Sequence, residues 1–330
     1  MKIWKYSRLD VLMLALSIAQ FVTTLLLAVY WKGMSTLGRA GSFILLVAMM
    51  VYNIIIVSHL FTHTPWFNSP RLNRLVSLLN SINIGQSVQA YQLTHVRNHH
   101  RYNNDRQPNG NSKDLSSTFR GTTDGEHRGV FQYAFFGAVE TFVSTGRALL
   151  SITRLWRVGA HEHELLSLVK NSSVIRAVEL RQVQLDRMVH FLALCLFLAI
   201  SWQWFLFCYL TAFFVALALV NVQNYYEHYG ALPENLYANS VSYYGRLYNF
   251  LTFNDGFHQE HHLRPLTHWT QMPRVHLAFS RQLNESERII SPVPAIIGFF
   301  HRNRKLLHRG PVAAVGPVEP DSNTFSPVAH

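Results

Sequence analysis

Charge is scarce in this chain. Asp, Glu, Lys and Arg make up 14% of its 330 residues, while 49% are hydrophobic and 13% aromatic. Soluble domains carry about a quarter charged residues. The length alone would allow two soluble domains, but this composition favours one membrane-embedded unit. Cysteine is scarcer still: Cys195 and Cys208 both lie in one apolar run, where a thiol behaves as a small hydrophobe. No Cys-x-x-Cys pair exists, which excludes a fused rubredoxin-like or zinc-ribbon module. No His-Pro-Gly-Gly stretch marks a fused cytochrome module of that type. The basic N-terminus MKIWKYSR leads into a long apolar run without a small-residue cleavage site, so that run reads as a membrane span and not as a cleaved signal. No internal repeat stands at a solenoid period. The formal net charge is +11, yet no basic stripe with a nucleic-acid motif accompanies it, so no nucleic-acid partner is expected. Lys and Arg outside the apolar runs suit an anionic cytoplasmic leaflet.

What the chain does have is long apolar segments. The first, 9–31, is long enough to span a bilayer. The second, 41–57, follows after the short linker WKGMSTLGRAG, so the two form a helical hairpin. Met188 to Val220 is one continuous apolar run. As a single helix it would be about 50 Å long, against a hydrocarbon core of about 30 Å. Two spans, 188–203 and 204–220, meeting near Trp202-Gln203-Trp204 resolve the mismatch, since Trp favours the interface. Segment 71–93 is amphipathic and reads as a helix at the interface or against the protein, and 130–150, moderately apolar but carrying Glu140 and Arg147, reads as an interfacial helix. Residues 101–129 have loop chemistry, 151–187 are charged and helix-prone, and 310–330 read as a disordered tail. The expected fold is all-α: one integral membrane domain over 1–309, about four transmembrane helices in two hairpins, interfacial helices and a cytosolic histidine-rich cap. The N-terminal Lys2, Lys5 and Arg8 favour a cytosolic N-terminus; Lys32 and Arg39 oppose it.

Histidine is abundant and grouped. His59 and His63 stand in HLFTH, His95, His99 and His100 in HVRNHH, His228 in NYYEHYG, and His258, His261 and His262 in HQEHH. Each group lies at or just beyond an apolar segment, and the hairpin reading brings all four to one membrane face. Spacings of i, i+3 and i+4 put imidazoles on one side of a helix. Such pairs hold one metal or point at two adjacent metals. One zinc takes about four ligands, so nine imidazoles suit two ions, and iron is well served by imidazole. The plain alternative for any one pair is hydrogen-bonded interfacial histidines. His127, His161, His163, His268, His276, His301, His308 and His330 read as surface or structural groups, and His190 as interfacial. Glu227, Asp255, Glu260 and Asn224 are candidates to orient imidazoles or hold a water. Glu140 is a charge in an apolar segment that needs a partner, and Arg97 and Arg264 are candidates to meet an acyl carboxylate or phosphate.

HxxxH at 59–63, HxxxHH at 95–100 and HxxHH at 258–262 resemble the three histidine boxes of the membrane fatty acid desaturase and hydroxylase superfamily. NYYEHYG at 224–230 resembles the extra motif of membrane alkane monooxygenases, although Leu60 and Thr64 replace the Glu and Lys usual in their first box. The Asn224-to-His228 spacing and the HHLRP ending resemble acyl desaturases. The resemblance implies a non-haem di-iron centre at the cytosolic face with dioxygen as co-substrate. Its ligands would be His59, His63, His95, His99, His100, His228, His258, His261 and His262, with Glu227, Asn224 and Asp255 beside the chemistry. It also implies a fatty acyl or membrane lipid substrate, and electrons from a separate ferredoxin or flavodoxin with its reductase. Desaturation is the first expectation. Alkyl hydroxylation or terminal-alkene-forming decarboxylation is the second, and a histidine-rich metal transporter is a distant third.

Overall fold

The computed structural model describes residues 2–153, 165 and 167–310. His161, His163, His330 and the expected tail beyond 310 lie outside the described residues. The chain runs through α1 (Asp10–Gly33), α2 (Thr36–His63), α3 (Pro70–Ile84), α4 (88–102), α5 (Val130–Thr153), α6 (Ser173–Ile200), α7 (Trp202–His228), α8 (Arg246–Leu251), α9 (His258–Leu263), α10 (Met272–Ala278) and α11 (Ser280–Glu285). Val241–Ser242 pairs in parallel with Ile289–Ile290, the one small sheet among the described residues.

Helices α1, α2, α6 and α7 are each long and apolar enough to cross a membrane. At 1.5 Å per residue they measure about 36–42 Å, against about 30 Å of hydrocarbon. The length exceeds what a bilayer needs, and α2 and α7 end on His59, His63 and His228. The second hairpin turns at Ser201, whose extended backbone breaks the helix and whose Oγ accepts from the Trp204 N–H. That is one residue before the tryptophan pair expected to mark it.

Helix α6 begins at Ser173, fifteen residues ahead of the apolar run, because its polar residues find protein partners. Glu179 pairs with Arg97. Asp186, fully buried, accepts from Ser77 Oγ, Ser87 Oγ, Gln182 Nε2 and the Gln89 N–H. These bonds tie α6 to α3 and α4. The polar residues of α3 work the same way: Gln20 Nε2 donates to the Asn83 carbonyl, and Asn83 Nδ2 to the Ser17 carbonyl. Helix α5 lies along α7, with Tyr133 against Tyr225 and Phe142 against Phe213.

Gly85 closes α3 at φ +69°, where an added Cβ would stand 2.5 Å from the Phe213 ring of α7. Gly85→Ala combines left-handed strain of about 1–2 kcal/mol with displacement of that ring. The expected result is a lower thermal unfolding midpoint in detergent. Gly33→Ala, whose Cβ meets open space, serves as the control and is expected to leave the midpoint in place.

Candidate metal centre

The two helices that carry the first five histidines are locally underwound. Asn53–Ser58 of α2 and Leu93–His99 of α4 are π-helical, a winding in which residues five apart come into register. In α2 a hydrogen bond from Ser58 Oγ to Asn53 Oδ1, 2.6 Å, closes the widened turn. In α4 the consequence is chemical. His95 and His100, five apart, bring their Nε2 atoms to 3.1 Å, whereas ordinary α-helical winding would pair His95 with His99. His99 turns instead toward His228 and His262, with ring centroids 4.9 and 5.0 Å away.

The nine histidines gather into two adjoining sets. His59, His63, His95, His100 and His261 can bring ring nitrogens within 4.8 Å of one another, and so can His99, His228 and His262. His258 joins the edge of the second set, its Nε2 3.4 Å from His228 Nε2. The short helix α9 divides its ligands, His261 to one set and His262 to the other, because neighbours on a helix point about 100° apart.

The donor set fits metal ions. His59 Nε2 faces His261 Nε2 at 3.1 Å, as His95 faces His100. Neighbouring ligands bonded to one ion at about 2.1 Å and a right angle stand about 3.0 Å apart. Nε2 of His99 and of His262 is buried without a hydrogen-bond partner among the described residues, a costly state unless a ligand is met. The opposite nitrogens are held. His99 Nδ1–H donates to Asp114 at 2.7 Å, His262 to Asn103 Oδ1 at 2.8 Å, His228 to the Asn239 carbonyl at 3.2 Å, and His59 to the Ile55 carbonyl at 3.0 Å. Each such bond fixes the tautomer and leaves Nε2 to coordinate. Burial, reinforced by neighbouring imidazoles, holds His95, His100, His258, His261 and His262 well below the usual imidazole range. They are therefore neutral at physiological pH, the form that binds a metal.

The structure places the remaining candidates as follows. Glu227 Oε1 lies 3.8 Å from His258 Nδ1, and Asp255 Oδ1 lies 3.8 Å from His59 Nδ1. Gln223 Nε2 donates to Glu227 and reaches Asp255 at 3.5 Å, joining the two carboxylates. Burial pushes Asp255 up to about 7. Asn224 Nδ2 donates to Tyr133 Oη and to the Ser116 carbonyl. Asn224, Glu227 and Asp255 line a cavity of about 180 Å³ beside His59, His95 and His258, whose apolar wall includes Ile54, Ile55, Leu217 and Val220.

Four further residues have partners away from the imidazole sets. Glu260 faces away from the imidazoles, accepting from Ser242 Oγ, Tyr244 Oη and His276 Nδ1. Arg97 is taken up by Glu179 and the Leu168 carbonyl. Arg264 lies over the Phe279 ring. His268 is structural but buried, bonded to Asp10. The histidine-orienting residues that the sequence reading missed are Asp114, Asn103 and Asn239. They sit in polar loops with no fixed spacing to the boxes, so no periodicity announces them.

Four helices long and apolar enough to cross a membrane, with two adjoining imidazole sets that could hold metal ions, define the class of protein. A family model described as "Fatty acid desaturase" matches residues 37–293, and the chain belongs to that family. The match contains every histidine of the two sets. None of the curated proteins and none of the solved structures compared with the chain matches it.

Proposed function

We propose that the protein is a dioxygen-dependent di-iron oxidoreductase that acts on unactivated C–H bonds of a fatty acyl or lipid chain, with desaturation as its reaction. The observation that carries this reading is the division of the histidines into two adjoining sets. His59, His63, His95, His100 and His261 would hold one iron, and His99, His228, His262 and His258 the other. Two irons so held would supply dioxygen activation and hydrogen removal from an unactivated carbon. The chain's own part is positional. The aliphatic wall of Ile54, Ile55, Leu217 and Val220 holds an alkyl segment against the imidazoles, and Asn224, pinned by Tyr133 and Ser116, fixes the polar wall opposite. Glu227 and Asp255, joined through Gln223, stand beside His258 and His59 at the wall of the cavity. The basic N-terminal segment orients the site toward the cytoplasm.

A second reading is alkyl hydroxylation, or decarboxylation to a terminal alkene. NYYEHYG, which brings α7 into the site and resembles the alkane monooxygenase motif, favours it. Sub-ångström placement of the substrate carbon decides between these outcomes. Transport of metal ions predicts histidines along a path through the spans, whereas these stand together at one end.

The test is elemental analysis of the detergent-purified protein, with Mössbauer spectra of an iron-57 sample. About two irons per chain are expected. An iron-free folded preparation, or a single zinc, overturns the oxygenase reading. Product analysis of lipid substrates then separates an alkene at constant chain length from an alcohol or a shortened terminal alkene.

A further inference from the structure

The first 104 residues contain one acidic residue, Asp10, and none other before Asp105. Asp10 is fully buried, accepting from His268 Nε2 and Trp269 Nε1 at 3.0 Å each. It therefore offers the surface no negative charge. Lys2, Lys5, Arg8, Arg71 and Arg74 are all exposed. They form one face because the N-terminal segment is pinned beside the end of α2 and the start of α3. The Lys5 N–H donates to the Trp66 carbonyl at 2.7 Å, the Asn68 N–H to the Ile3 carbonyl at 3.0 Å, and Trp4 stacks on Phe67. Lys5 and Arg74 line one shared cavity.

This face lies at the outer end of a file of rings that leads inward. Tyr6, 45% exposed, stacks on His268 with centroids 5.2 Å apart, and His268 lies 5.3 Å from Trp269. Trp269 lines the same small void as His59, His63 and His261. Two ring-to-ring steps therefore separate the exposed Tyr6 from Trp269, which reaches the five-histidine set. The hydrogen bonds to Asp10 hold the two inner rings in place.

We propose that an acidic one-electron carrier protein, an iron–sulfur or flavin carrier, docks on this basic face and passes electrons inward past Tyr6, His268 and Trp269. The proposal rests on the di-iron reading above. Each docking would oxidise the reduced carrier by one electron, delivered to an iron that the histidines would hold. Two such transfers and two protons from water complete the reduction of one dioxygen, to which the substrate's C–H bonds contribute the other two electrons. The rings are a packed path and undergo no net change. Lys5, held 4.9 Å from the Tyr6 ring, joins the docking charge to the point of entry, and the screened attraction weakens with salt.

The test uses the full chain in neutral phosphatidylcholine nanodiscs, with reduced plant-type ferredoxin and reduced flavodoxin as probes. Binding is measured at low and high ionic strength, and carrier oxidation by stopped flow. Lys5→Glu/Arg8→Glu is expected to weaken carrier binding by about tenfold or more at low salt, with the difference vanishing at high salt. Arg281→Glu, on an exposed helix elsewhere, is expected to leave binding unchanged. Tyr6→Leu is expected to slow reduction by the bound carrier while reduction by dithionite keeps its wild-type rate. Equal affinity of the double variant and wild type for both carriers, or no binding of either carrier to wild type, overturns the proposal. Iron content measured on the same samples keeps these outcomes separate from failure of the di-iron reading, because docking is read without turnover.

Discussion

His261→Ala is expected to abolish turnover and to remove about half of the bound iron. His261 stands inside the five-histidine set, its Nε2 3.1 Å from His59 Nε2 and its ring 4.4 Å from His63 and 4.6 Å from His100. Truncation deletes a ligand and leaves His59 facing a void that lies behind no other imidazole of α9. Loss of a catalytic ion removes several kcal/mol of transition-state stabilisation, so the rate should fall by on the order of a thousandfold or more. His262→Ala should strip the other ion by the same logic, although the two residues are sequence neighbours. His276→Ala is the control, because His276 is bonded to Glu260 outside both sets. Iron per chain and the Mössbauer signature of each variant check the prediction. Full iron retention in His261→Ala would show that the five-histidine set does not hold an ion.

The positions of the spans and the identity of the boxes were legible in the sequence because both are local signals. Hydropathy reports lipid contact directly, and HLFTH or HQEHH needs only helical winding to present a face. The hairpin turn was legible from length alone, since Met188 to Val220 exceeds one bilayer. What the pattern concealed was winding. A reading at i, i+4 pairs His95 with His99, and only the π turn over Leu93–His99 sends His95 to His100 and His99 across to His228. The start of α6 was concealed for a different reason. Its polar residues look solvated until Asp186 is seen to gather partners from α3 and α4. Long-range polar satisfaction of this kind has no period. The residues that hold the imidazoles, above all Asp114, were concealed in the same way.

Asp114→Ala is expected to weaken metal binding by about 10- to 100-fold, although this residue faces no metal position. Asp114 is fully buried. Its Oδ2 accepts from His99 Nδ1 and from the Asn104 N–H, both at 2.7 Å, and its Oδ1 from the Ser116 N–H at 2.8 Å. The chain reaches this arrangement through Asn103 and Asn104, both in the left-handed region at φ +47° and +60°, a conformation that Asn tolerates better than most residues. Burial works to raise the carboxyl, but His99 and the two backbone donors outweigh it and hold Asp114 below the usual carboxylate range. Its contribution is therefore fully present at neutral pH, and is lost only when pH falls through that lowered value. Without the carboxylate, His99 is free to rotate and to take the other tautomer, and two backbone donors lose their acceptor. Removing a partner that orients a metal-bound histidine costs about 10- to 100-fold in metal affinity. Asp114→Asn is the sharper variant. An amide oxygen that serves His99 and Asn104 must turn its NH₂ toward the Ser116 N–H, placing donor against donor, so the isostere should not rescue. The check is the rate of iron release to a chelator at neutral pH, with helical content followed in parallel. Release at the wild-type rate from folded Asp114→Asn would mean that His99 is held by its ring neighbours and not by this carboxylate.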